Sequence, residues 1–144
     1  MIERFDGEYA FLSNFWPSPI VLDRITYPTV EHAFQAAKAD NRLERERIAA
    51  LPTPGAAKRA GRKVALRPDW DRIKVEVMED LVRRKFADPE LAERLLATGA
   101  AELVEGNTWN DRFWGVCRGQ GRNELGKILM RVRAELRGKS PTGA

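Results

Sequence analysis

The apolar positions change period along the chain. Ile20-Val21-Leu22 and Ile25-Thr26-Tyr27 are short β-type runs separated by Asp23-Arg24, the spacing of a two-residue hairpin. Arginine is a poor second residue for the type I′ turn that such a hairpin prefers. Before this the first third reads as strand and loop. From Thr29 the period becomes helical. Thr29 can cap a helix from Val30 to about Ala39, with Glu31 in its first turn. Asn41 followed by Glu44 resembles a capping box, and Thr53-Pro54 has the cap-then-proline order of a third helix. Asp69 can cap a long helix whose Ile73, Val77, Leu81 and Val82 recur at helical spacing. Asp88-Pro89 opens a short helix that ends at Gly99, and a last helix follows Asn123 with Leu125, Ile128, Leu129, Val132 and Leu136 on one stripe. These elements predict an α+β fold, mostly α-helical, in a single domain over residues 1–137. Its small β-sheet would combine the hairpin with Glu102-Leu103-Val104. The tail 138–144 offers nothing to bury and is expected to be disordered.

Composition narrows the chemistry. The 144 residues are enough for one core without staples, and a single cysteine, Cys117, cannot form an internal disulfide. No basic start leads into an apolar run and no segment approaches the length of a membrane span, so the cytoplasm is the expected location and no membrane partner is expected. The net charge of +4 permits attraction to phosphates. The arginines are dispersed in mixed-sign segments such as Arg42-Leu43-Glu44-Arg45-Glu46-Arg47, which reads as a solvated helix face more than a nucleic-acid surface. One histidine and one cysteine do not supply a zinc site, and the carboxylates lack metal spacing, so no metal and no cofactor are expected. His32 reads as a packed or solvated histidine before a catalytic one.

Three constellations remain. Glu31, Gln35 and Lys38 fall within about 60° of one another on a helix otherwise made of Ala33, Phe34, Ala36 and Ala37. They face either a polar cavity or water, and spacing leaves both open. The segment Asn107 to Gly115 mixes tryptophans, amides and Asp111 without periodicity, as site loops for flat heterocycles do; an irregular loop anchored by Trp114 is the alternative. Arg118 to Asn123 is flexible and basic and precedes a helix, a place suited to phosphate.

Phe11-Leu12-Ser13-Asn14-Phe15 and Tyr27-Pro28-Thr29-Val30-Glu31-His32-Ala33-Phe34-Gln35-Ala36-Ala37-Lys38 resemble the opening of the YbiA-like, or NADAR, family. Ala57-Lys58-Arg59, Asp69-Trp70-Asp71, Leu103-Val104-Glu105, Asn110 to Gly115 and Gly121 to Met130 continue the resemblance in order, over about residues 5 to 135. The family's usual glycine after the hairpin aspartate is Arg24 here, and the loop before Gly121 carries Val116-Cys117-Arg118. The resemblance implies a YbiA-like fold and an N-glycosidase. Its small-molecule substrate would be a ribosyl-phosphate intermediate of early riboflavin synthesis, or ADP-ribose joined to guanine, including guanine in nucleic acid. By motif position it makes Glu31, Lys38 and Asp111 catalytic, Lys38 as a nucleophile. Asn14, Gln35, Trp70, Glu105, Trp114, Arg122 and Asn123 become substrate-binding, with Trp70 stacking on the base and Arg122 and Asn123 holding phosphate. For Trp70 a core anchor is the alternative. A non-catalytic module for ADP-ribose or NAD is the alternative; it would keep the aromatics and the basic loop but would not need both Lys38 and the carboxylates. Oligomeric state is left open.

Overall fold

The computed structural model describes residues 1–139, so residues 140–144 of the expected tail lie outside the described residues. The fold is α+β and mostly helical, as the pattern predicts. Backbone contacts divide it into two compact units: one from Asn14 to Lys85, the other made of Met1–Ser13 and the chain from Phe86 onward.

In the first of these, β1 (Ile20–Leu22) and β2 (Ile25–Tyr27) pair antiparallel with Ile20 opposite Tyr27. Asp23 and Arg24 connect them at φ +52 and +66, so both turn residues are left-handed, as a type I′ turn demands. An arginine in that region costs about 1 kcal/mol. The turn is held from outside: the Asp23 carbonyl accepts a hydrogen bond from Arg42 Nη1 at 2.8 Å.

Helix α1 (Val30–Ala37) follows, capped by Thr29, whose Oγ1 accepts the His32 N–H at 3.1 Å. It ends slightly earlier than expected because the Lys38 and Ala39 N–H groups bond back three residues, to Gln35 and Ala36, tightening the last turn. Helices α2 (Arg42–Ala49), α3 (Pro54–Gly61) and α4 (Trp70–Lys85) all pack on α1. Buried Ala33, Ala36 and Ala39 permit that close approach. Asn41 and Thr53 cap α2 and α3 through the N–H groups of Glu44 and Ala56. Asp69 stands at the start of α4, but its carboxylate binds Arg67 at 2.7 and 3.2 Å; a guanidinium two residues away competes for the cap.

In the second unit the N-terminal segment contains a 3-10 helix, Gly7–Leu12, where the sequence predicts strand and loop; Phe11 and Leu12 are its buried residues. The expected strand at Glu102-Leu103-Val104 is reduced to one bridge, Leu103 beside Ile2, and joins the N-terminal segment instead of the hairpin. A second two-stranded ladder, parallel, pairs β3 (Gly106–Asn107) with β4 (Val116–Cys117). Helix α5 (Pro89–Ala97) is capped by Asp88 and turns off at Gly99, φ +66. It packs against α6 (Glu124–Gly138), whose Leu125, Ile128, Leu129 and Val132 are buried. That helix runs one residue past the expected domain end. No helix among the described residues is long and apolar enough to cross a membrane.

The last residue of α4, Lys85, is 2% exposed, and burial pulls its pKa from 10.5 down to about 7. Between those values the unfolded chain holds a proton that the folded chain does not, so stability rises with pH across that window and levels off below it. Urea unfolding is expected to show a gain on the order of 2 kcal/mol from pH 7 to pH 9. Lys85→Met should remove most of that gain; an unchanged pH slope in the variant would reject Lys85 as its source.

Candidate functional site

The unit Asn14–Lys85 carries Glu31, Gln35 and Lys38 on one side of α1. Glu31 and Gln35 are 8% and 6% exposed, which rules out the solvated-stripe alternative for both. Gln35 Nε2 donates to Glu31 Oε2 at 2.6 Å, one turn apart, while Gln35 Oε1 is buried with no partner. Helix α3 comes so close to this amide that a Cβ on Gly61 would collide with the Gln35 carbonyl oxygen. Asn14 fixes the start of the same face: its carbonyl accepts the Glu31 N–H at 3.1 Å, and its Nδ2 lies 3.5 Å from Met78 Sδ.

Lys38 stands half-buried at the end of α1, where its carbonyl accepts the Arg67 N–H at 3.0 Å. Burial lowers the pKa of its ammonium; Glu31 opposes that, and Arg62 and Lys74 add to it. The net direction is down, toward the free amine. Phe34 supplies an aromatic wall 6.0 Å from Nζ, and Trp70 packs against Phe34 with centroids 5.0 Å apart. Trp70 itself is only 5% exposed, so it offers little face for stacking on a base and acts here as a packing residue. His32 is fully enclosed: its Nε2 meets the Leu51 carbonyl at 3.0 Å and its Nδ1 the Thr29 hydroxyl at 2.8 Å.

The other unit builds a second constellation from the loop between Glu105 and Asn123. Asp111 Oδ1 accepts the N–H groups of Phe113 and Trp114 at 3.1 and 2.9 Å, which leaves Oδ2 for other partners. Asn107 ties this turn together. Its Oδ1 accepts the Asp111 N–H at 3.0 Å, and its Nδ2 donates to the Asp111 carbonyl at 2.9 Å and to Glu105 Oε2 at 3.1 Å. Asn107 opens the segment that the sequence offers as a site loop, but only the folded loop reveals its reach to Glu105 and Asp111. Trp114 is half-buried and meets Phe113 edge-on, with centroids 4.8 Å apart.

The start of α6 differs from the expected phosphate cradle. The N–H groups of Arg122, Asn123, Glu124 and Leu125 bond to the carbonyls of Arg112, Gly115, Phe113 and Trp114. The Asn123 side chain does not cap the helix; it donates to the Leu103 carbonyl at 2.9 Å and accepts the Glu105 N–H at 3.0 Å. The residue thus positions Glu105, at φ +53 and 9% exposure. A Cβ at Gly126 would strike both the Leu103 carbonyl and the Asn123 amide, so only glycine admits this arrangement. Arg122 is exposed, 3.0 Å from Glu124 Oε1 and over the Phe113 ring at 4.7 Å. Among the described residues no three His, Cys, Asp or Glu side chains are grouped to hold a metal ion.

These features can be set beside known proteins. The NADAR domain family model matches residues 2–137. N-glycosidase YbiA of Shigella flexneri serotype 5b is 43% identical over 133 residues, 90% of this chain and 82% of that protein. An N-glycosidase of Nostoc punctiforme is 40% identical over 136 residues, 90% of this chain and 86% of its own. A riboflavin biosynthesis protein of Vibrio vulnificus is 42% identical over 140 residues, 94% of this chain; the chain spans only 38% of that longer protein. The NMR structure of Escherichia coli YbiA superposes with a TM-score of 0.83 at 39% identity, covering 96% of this chain and 88% of that one. The chain belongs to the NADAR family. It is an enzyme of the N-glycosidase class, a hydrolase of N-glycosyl bonds.

The burial of Trp70 gives a direct test of its role. Trp70→Ala is expected to cost about 3–5 kcal/mol of stability, the range for a buried aromatic removed to alanine. Chemical denaturation measures it; a loss under about 1 kcal/mol would return Trp70 to the role of an accessible binding face.

Proposed function

We propose that this chain hydrolyses the bond between C1′ of a phosphorylated ribose and the nitrogen of a base, with Lys38 as nucleophile and Glu31 and Asp111 as acid/base groups. The observation that carries this reading is the α1 face: an amine with a lowered pKa shares it with a buried carboxylate–amide pair. A ring-opened ribosylamine presents an imine between C1′ and the base nitrogen. The Lys38 amine adds to C1′, the base nitrogen takes up a proton and departs, and C1′ remains joined to Lys38 as an imine. Water then adds to C1′, the sugar leaves as an aldehyde, and Lys38 returns to the free amine. Glu31 and Asp111 are the carboxylates suited to move these protons, Asp111 through its available Oδ2.

Asn14, Gln35, Glu105 and Trp114 complete the proposed contacts to substrate. Gln35 would act through the Nε2 group that donates to Glu31, since its Oε1 is enclosed against Gly61. Arg122 is the proposed phosphate contact; Asn123 supports it as a positioning residue, and Trp70 backs the wall at Phe34. The names of the Vibrio relative and of a maize chloroplast relative, both riboflavin biosynthesis proteins, favour a ribosylaminopyrimidine phosphate as substrate. ADP-ribose on guanine is the second substrate to assay, and a cytoplasmic location belongs to the same reading. A binding module without catalysis would release no base from either. Mass spectrometry of the released base distinguishes all three.

Glu31→Gln and Asp111→Asn keep the shape and one acceptor oxygen of the originals, and each is expected to lower turnover by about 10²-fold or more with unfolding unchanged. Near-normal rates in both would remove the carboxylates from the mechanism. Lys38→Arg keeps the charge but cannot form an imine, so near-complete loss of activity is expected. Borohydride should trap the parent enzyme on its substrate, with the yield rising with pH through the lowered Lys38 pKa. Substantial activity in Lys38→Arg, with no trapped adduct in the parent, would sink the covalent step.

A further inference from the structure

In the loop from Asn107 to Gly115, Trp109 has no part in the reaction proposed above, and the fold leaves it 57% exposed. The other three tryptophans, Trp16, Trp70 and Trp114, are buried or half-buried, as the large apolar face of an indole favours. Trp109 is not carried on a slack segment. Asn107 is buried and pairs with Cys117 in the β3–β4 ladder, and from there its amide closes the turn. Its Oδ1 accepts the Asp111 N–H at 3.0 Å and its Nδ2 donates to the Asp111 carbonyl at 2.9 Å. Thr108, Trp109 and Asn110 form the exposed tip of that closed turn. Asn110 completes it at φ +65, in the left-handed region that asparagine enters more readily than most residues. Two positions after Trp109 stands the Asp111 carboxylate, its Oδ1 fixed by the N–H groups of Phe113 and Trp114.

We propose that Trp109 is the stacking platform for the base of the substrate, a part for which Trp70 is too deeply buried. Resting on the glycosidase reading of Asp111, this role narrows the substrates to those whose leaving group is a flat heteroaromatic ring. Two observations carry it, the exposure of the indole and the latch that holds its turn. A core tryptophan would offer a base no face, and one on a slack loop would lose ordering entropy each time it bound. Trp109 avoids both costs. Stacking on an indole asks only for a π-face, so it holds a purine or a pyrimidine without a matching set of hydrogen bonds. The base would be kept beside Asp111 while its nitrogen takes up a proton.

The test follows the Trp109 indole N–H in nitrogen-15 NMR spectra of the full chain, its signal identified by its absence in Trp109→Phe. Guanosine 5′-monophosphate and cytidine 5′-monophosphate are expected to move that signal saturably, and ribose 5-phosphate, which has no base, to leave it in place. The tighter nucleotide shows whether a purine or an aminopyrimidine is the base held. Trp109→Ala and Trp109→Leu should each weaken the tighter nucleotide by about 5- to 100-fold, whereas Trp109→Phe, still flat, should keep most of the affinity. In turnover the same two variants should raise KM by a similar factor and change kcat by less than about 3-fold, with the melting transition unmoved. This NMR experiment needs no turnover. A chain that releases no base, while its Trp109 signal still follows the nucleotides, would overturn the reaction and leave the platform standing. A signal that neither nucleotide moves, an equal response to ribose 5-phosphate, or undiminished nucleotide affinity in Trp109→Ala would overturn the platform.

Discussion

Every residue of α1 from Val30 to Ala36 is buried, and a helix enclosed to that degree has to match each polar group it carries with a neighbour. The sequence puts a carboxylate, an imidazole and an amide on three of those seven positions. The imidazole is satisfied between Thr29 and Leu51, which anchors both the start of α1 and the chain after α2. The carboxylate and the amide satisfy each other in part, through one 2.6 Å bond. That bond also orients Gln35 so that its other atom, Oε1, points away unpartnered, and the neighbouring helix must then present glycine at position 61. The packing of α1 with α3 and with the chain after α2 therefore follows from polar side chains inside the helix as much as from its alanines.

The loop from Glu105 to Asn123 solves a similar problem with different means. It has almost no regular structure, so its backbone groups cannot rely on a helix or a long ladder. The side chains of Asn107, Asp111 and Asn123 stand in for one, each bonding backbone two to twenty residues away. The first N–H groups of α6, which would otherwise attract an anion, are taken by the carbonyls of the same loop. A helix start in a basic, glycine-rich context is thus insufficient evidence for phosphate. Where the loop folds back over it, the donors are already in use.

Much of the fold could be read from local chemistry. The hairpin positions, the caps at Thr29, Asn41, Thr53 and Asp88, and the stripe on α6 depend on neighbours in sequence, and the structure reproduces them. What escaped the sequence depends on contacts far along the chain. Leu103 pairs with Ile2, Asn123 reaches back to Leu103, and no periodicity encodes either distance. The 3-10 turn at Gly7–Leu12 escaped because i to i+3 bonding leaves no amphipathic period in six residues. Arg24 was flagged as a poor turn residue, yet it adopts the left-handed conformation anyway, because strand register and the Arg42 contact impose it. For the candidate site, spacing identified Glu31, Gln35 and Lys38 as one face, but only burial decided that Glu31 and Gln35 do not face water. The family motif pointed to Trp70 with a core anchor as the alternative, and its 5% exposure and packing on Phe34 favour the anchor.

A lowered lysine pKa does not by itself mark a reactive amine, and this chain holds the contrast. Lys85 is depressed to about 7 by burial, yet at 2% exposure no substrate can reach it. Lys38 is depressed despite an adjacent carboxylate that pulls the other way, and it is half-exposed. The opposition between burial and Glu31 is useful for imine chemistry. In the proposed mechanism, burial shifts Lys38 toward the free amine that attack requires, and the carboxylate would stabilise the positive charge of the iminium that follows. The pairing on α1, more than the size of any single shift, is the ground for proposing Lys38 as the reactive amine.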